Sequence, residues 1–130
     1  MEEIEIKSAH SASLIRFFGI EGDYFRVEMT NPEYSGAVRV WAYTDAHGLA
    51  DLFAIIAENW KGWQGEKKWS SIEGEFSIIA TSDKLGHISL SVEMHHDFGA
   101  TEPWQLKSTV VVDAGQLDAI AKDAKAFFKT

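Results

Sequence analysis

The chain of 130 residues contains no cysteine. That absence excludes disulfides, thiol nucleophiles and cysteine-ligated zinc, and it suits a reducing, cytoplasmic setting. No apolar run reaches the roughly eighteen residues a membrane helix needs, so no membrane association is expected. The opening MEEIEIKSAH is acidic and lacks the apolar stretch of a secretory signal. Basic charge is scarce: Lys and Arg total 12 against 20 Asp and Glu, a net charge of −8. Such a surface repels phosphate backbones, so no nucleic-acid partner is expected. There is no GxSxG, GxGxxG, phosphate loop or HExxH, so an enzyme is not expected and no cofactor is implied.

What is present suits one globular domain: 45% hydrophobic, 25% charged and 12% aromatic residues. Residues 14–20 (LIRFFGI) and 24–30 (YFRVEMT) flank Glu21-Gly22-Asp23 and predict a β-hairpin. A third strand is expected over 36–43. Asp45 then reads as an N-cap before Leu49, Leu52, Phe53, Ile56, Ala57 and Trp60, an apolar stripe at helical spacing. The same order returns further on, with strands expected over 71–81, 87–95 and 104–112. Asp113 with Gln116 then makes a capping-box pattern before a second helix striped by Leu117, Ile120, Ala121, Ala124, Phe127 and Phe128.

Two local echoes support an internal duplication. FRVEM at 25–29 resembles LSVEM at 90–94, and DAHGL at 45–49 resembles DAGQL at 113–117. The pseudo-repeats span about residues 12–60 and 70–129, with a linker over 61–69. The expected fold is α+β: a six-stranded, mainly antiparallel sheet with two helices on one face, built from duplicated β-β-β-α units.

Two groups of residues are candidate binding sites. The stretch WKGWQGEKKW at 60–69 holds Trp60, Trp63 and Trp69, three of the five tryptophans. Anchoring a crossover between the repeats is the preferred reading, since each indole buries on the order of 150–250 Å²; a small-molecule pocket is the alternative. The second group lies on the sheet face turned away from the helices. Alternation sends all the arginines there, Arg16, Arg26 and Arg39, beside Trp41 and Tyr43. Forked donors next to aromatic rings suit a carboxylate, a phosphate or an interface hot spot. The plainer reading is a solvated face of weak ion pairs, with Arg16 directly across from Glu28. A homodimer through this face would cover Trp41 and Tyr43.

Metal ligation is not expected. His95-His96-Asp97 places neighbours on opposite strand faces, and His10, His47 and His87 lack ligand spacing. Glu73 and Glu75 share a predicted strand face near Glu93, but a flat sheet offers no cleft to raise a carboxyl pKa.

The segments WKGWQGEKKWSSIEGE at 60–75, ATSDKLGHISLSVE at 80–93 and DAGQLDAIA at 113–121 resemble a family of small bacterial proteins of unknown function. The resemblance covers Trp60 to Phe128 and implies a bacterial, cytoplasmic, stand-alone domain. It brings no reaction, cofactor or catalytic residue. The functional expectation is a non-catalytic binding protein, in particular an acidic, immunity-like inhibitor of a basic protein partner. The alternative is a small-molecule carrier or sensor using the tryptophan stretch.

Overall fold

The structure, a computed structural model, describes every residue except Thr44, Asp97, Phe98, Lys129 and Thr130, and the side chain of Ala46. It contains β1 (Glu3–Lys7), β2 (Leu14–Glu21), β3 (Tyr24–Asn31), β4 (Tyr34–Trp41) and α1 (Ala46–Glu58). These are followed by β5 (Lys67–Ser70), β6 (Phe76–Ser82), β7 (His87–His96), β8 (Trp104–Asp113) and α2 (Leu117–Phe128). The α+β class and antiparallel pairing are as expected, but the single six-stranded sheet is not. Two four-stranded sheets form instead, in the orders β1-β2-β3-β4 and β5-β6-β7-β8.

The difference lies in β1 and β5, both too short to stand out as hydrophobic runs. Glu3-Ile-Glu-Ile-Lys7 alternates, burying Ile4 and Ile6 against β2, and Trp69 in β5 is buried against β6. Lys67–Ser70 therefore extends a sheet, and the expected linker is irregular only as far as Glu66. The predicted strand over 71–81 begins only at Phe76. Residues 71–75 form a turn in which Gly74 adopts φ 78°.

Pairing within the first hairpin follows the predicted register at its centre, Arg16 opposite Glu28. It then slips by one residue, so that Glu21 rather than Ile20 meets Tyr24. Gly19 at φ 66° sits within this bulge, a backbone conformation costly for other residues.

One hydrophobic core joins both sheets and both helices. At its centre Phe17 is fully buried, with its ring 5.9–6.3 Å from those of Phe25, Phe53, Phe76 and Phe128. The helix stripes fall as predicted except for Trp60, which lies beyond the end of α1 and is 52% exposed.

The sheets meet reciprocally. β8 passes the end of the first sheet, where Ala9 donates to the Val111 carbonyl at 2.8 Å and Tyr34 hydrogen-bonds Ser108. β4 passes the end of the second sheet, where the Trp41 N–H donates to Glu75 at 3.1 Å. The helices pack together, α1 also touching β5 and α2 touching β1.

Candidate functional site

Alternation in β2–β4 turns one face inward, with Ile15, Phe17, Phe25, Val27, Met29, Val38 and Val40 buried. It also brings all three arginines to the other face, but gives them different surroundings. Arg16 lies 3.3 Å from Glu3 and 3.6 Å from Glu28, with its guanidinium 3.9 Å above the Phe18 ring. The ion pairs neutralise its charge although its Nε–H has no hydrogen-bond partner among the described residues. Arg16 is thus a self-paired sheet residue, matching the plainer reading.

Arg26 and Arg39 form a different arrangement. They stand directly opposite each other on β3 and β4. Among the described residues neither has an ion-pair partner. The Arg39 guanidinium lies 3.8 Å above the Tyr24 ring, while the Arg26 stem passes Gly19. Like charges directly across a strand pair are unfavourable. Their neighbours across the seam come from the second sheet, and together they line a recess of about 400 Å³ with Ala37, Val38, Glu75, His95 and His96.

Each partner on the far side is fixed. The Glu75 carboxylate accepts from the Trp41 N–H and from the Ser71 hydroxyl. Ser71, itself buried, also accepts from the Phe76 N–H at 3.1 Å. His95 lies with Nε2 2.6 Å from Glu93, and the His96 ring stacks on Trp104 at 6.1 Å. Glu73 is exposed on the same turn, outside this recess, so the expected Glu73–Glu75 face does not form. Asp97, third of the run of possible ligands, lies outside the described residues. Outside the lining of the recess, Trp41, whose N–H reaches Glu75, packs on Tyr43 at 5.4 Å, and Tyr43 is 52% exposed at φ 52°. A bulky residue in the left-handed region is strained, and here the strain accompanies an exposed ring.

The tryptophan stretch does not form one surface. Trp69 is core, 7% exposed, with its indole N–H donating to Asp45 at 3.1 Å. Trp63 is half-buried against the core under Lys67, and its indole N–H is buried without a partner among the described residues. Trp60 stands exposed with Lys61 5.4 Å from its ring. Sequence reasoning proposed the arginines and Trp41 as binding residues, and it weighed Glu75, His95 and His96 only as acid–base or metal groups and set them aside. Only the meeting of two sheets puts those three beside the arginines, and no spacing within either sheet encodes it.

A protein-family model described as Family of unknown function (DUF6228) matches residues 6–130. The chain belongs to this family. The DUF6228 match extends well before Trp60, so the likeness covers both sheets. No curated protein matches the chain. Among the described residues no helix is long and apolar enough to cross a membrane.

Proposed function

We propose that this DUF6228 protein is a non-catalytic binding protein whose recess between the sheets holds an anionic group, a carboxylate or phosphate, on Arg26 and Arg39. The observation carrying this reading is the arginine pair itself: directly opposed and without a carboxylate partner among the described residues. A bound anion offsets the repulsion and accepts from forked donors. A recess of about 400 Å³ is within the range of small-ligand sites. Trp41, joined to the recess through its N–H bond to Glu75, and Tyr43 packed on it supply apolar contact for the rest of the ligand, whether a small molecule or a side chain of a protein partner. Binding is favoured over acid–base chemistry because Glu75 already accepts two hydrogen bonds and His95 is engaged by Glu93.

The test is a nitrogen-15 NMR titration of the protein with inorganic phosphate and with acetate, following the arginine side-chain Nε–H signals. Saturable shifts at Arg26 and Arg39, abolished in Arg39→Ala and absent at Arg16, support the reading. Equal shifts at all three arginines, or none, overturn it.

An immunity-like inhibitor of a basic protein partner is the second reading, supported by the net charge of −8. It requires association that slows as salt is raised; a salt-independent rate removes it. With either reading goes a bacterial cytoplasmic setting. The repeated order of four strands and a helix further supports origin by duplication.

A further inference from the structure

We propose that His10, His87 and Asp113 form a binding site for a divalent transition metal, best matched to Zn²⁺, with the remaining position open to water. The three residues are far apart in the chain and meet where the loop after β1 crosses the end of β8. One ligand atom from each lies within 4.8 Å of the others. His10 Nε2 is 3.6 Å and His87 Nε2 is 3.8 Å from the same Asp113 oxygen, Oδ1. The two rings meet edge-on at 5.1 Å.

Proton placement gives the second argument. His87 Nδ1 lies 2.9 Å from Asp83 Oδ2, and the other oxygen of that carboxylate accepts the Leu85 and His87 backbone N–H groups at 2.7 and 2.9 Å. An ionised carboxylate only accepts, so Nδ1 carries the proton. In the neutral ring Nε2 then presents its lone pair towards Asp113 Oδ1, which is also a lone-pair donor. A cation between them resolves this opposition. A carboxylate orienting a histidine through its other nitrogen is the usual outer shell of a zinc-bound imidazole.

The backbone around each ligand is set in place. Ala9 is tied to Val111, and the His10 N–H donates to Ser8 Oγ at 3.0 Å. The Asp113 N–H donates to Gln116 Oε1 at 2.9 Å. Zn–N and Zn–O bonds of about 2.0–2.1 Å put tetrahedral ligand atoms roughly 3.3 Å apart, so the side chains must close in by up to about 1.5 Å. All three are at least one-third exposed, which leaves room for that movement. Two imidazoles and one carboxylate suit Zn²⁺ and its first-row neighbours, and they disfavour Mg²⁺ and Ca²⁺, which take oxygen ligands. The bound ion would clasp the loop after β1 to the start of β7 and the cap of α2.

The test uses the full chain without a histidine tag, stripped by chelator, at pH near neutrality. Zn²⁺ is titrated calorimetrically, Co²⁺ is followed by visible absorption, and imidazole nitrogen-15 shifts are recorded. One equivalent is expected to bind through Nε2 of His10 and His87, with Mg²⁺ giving no response. His10→Ala and His87→Ala should each weaken binding at least tenfold, and Asp83→Asn by roughly tenfold. His47→Ala is the control, because His47 lies near Asp45 and Asp51 at the start of α1 and could bind metal separately. Circular dichroism confirms that each variant is folded. Binding that survives both His10 and His87 substitutions, disappears in His47→Ala, or is absent at millimolar Zn²⁺ overturns the proposal. In that case the histidines only form ion pairs when protonated.

Discussion

Gly48 shows how a single contact can reverse a general preference. It lies in the first turn of α1, where glycine-to-alanine gains at most about 1 kcal/mol of helix propensity. A Cβ there would stand 2.5 Å from Asp45 Oδ1 and 2.9 Å from Trp69 Nε1, against the carboxylate and the indole nitrogen whose hydrogen bond runs through Asp45 Oδ2. Overpacking of this kind costs about 1–3 kcal/mol. Gly48→Ala is therefore expected to lose about 1–2 kcal/mol net in urea unfolding; a neutral or stabilised variant would show that the indole yields freely. Asp45 itself was legible as an N-cap, and it does precede α1, but its side chain makes no cap hydrogen bond. The carboxylate instead receives the Trp69 N–H, a partner from the other half of the chain that no local pattern announces.

At the scale of elements, the six long strands and both helices were readable because each carries its own periodicity. β1 and β5 were not, since four or five residues hold only one or two apolar positions. The alternation of β1 can still be tested. Ile6→Ala removes a fully buried side chain and should cost about 2–4 kcal/mol, whereas outward-facing Glu5→Ala should stay within about 0.5 kcal/mol. Equal, small effects would mean that β1 is not held in the sheet. The turn between β6 and β7 carries a pH signature. Asp83 is shifted down chiefly by the His87 backbone N–H, which desolvation opposes, with the Leu85 N–H and the His87 ring adding smaller downward contributions. A depressed folded value means stability present above the unfolded carboxyl pKa, near 4, and lost as pH falls through the folded one. Asp83→Asn should flatten the stability profile below about pH 4 and leave the slope between pH 5 and 6 unchanged; an unaltered acid limb would show that the turn contributes nothing there.

At the scale of the whole molecule, the two sheets are separate hydrogen-bonded units but not separate folding units. Each sheet is followed by a helix, an order that could suggest two independent halves. The packing opposes this. The Phe17 ring of the first sheet sits among Phe76 of the second and Phe128 of α2, while α1 rests on β5 and α2 on β1. Cutting the chain between Lys61 and Gly62 would therefore strip each half of the helix and aromatic rings that cover its sheet. A half of some 60–70 residues already buries only about 60% of its unfolded surface, which leaves little stability to lose. Neither half alone should show near-UV circular dichroism or a cooperative thermal transition. Mixed in equal amounts they should regain both, because the broken connection lies at the surface and the contacts across the seam are non-covalent. A cooperative transition in either isolated half would mean that its sheet has a sufficient core of its own. The recess holding Arg26, Arg39 and Glu75 would then be a joint between two preformed modules rather than a product of their folding together.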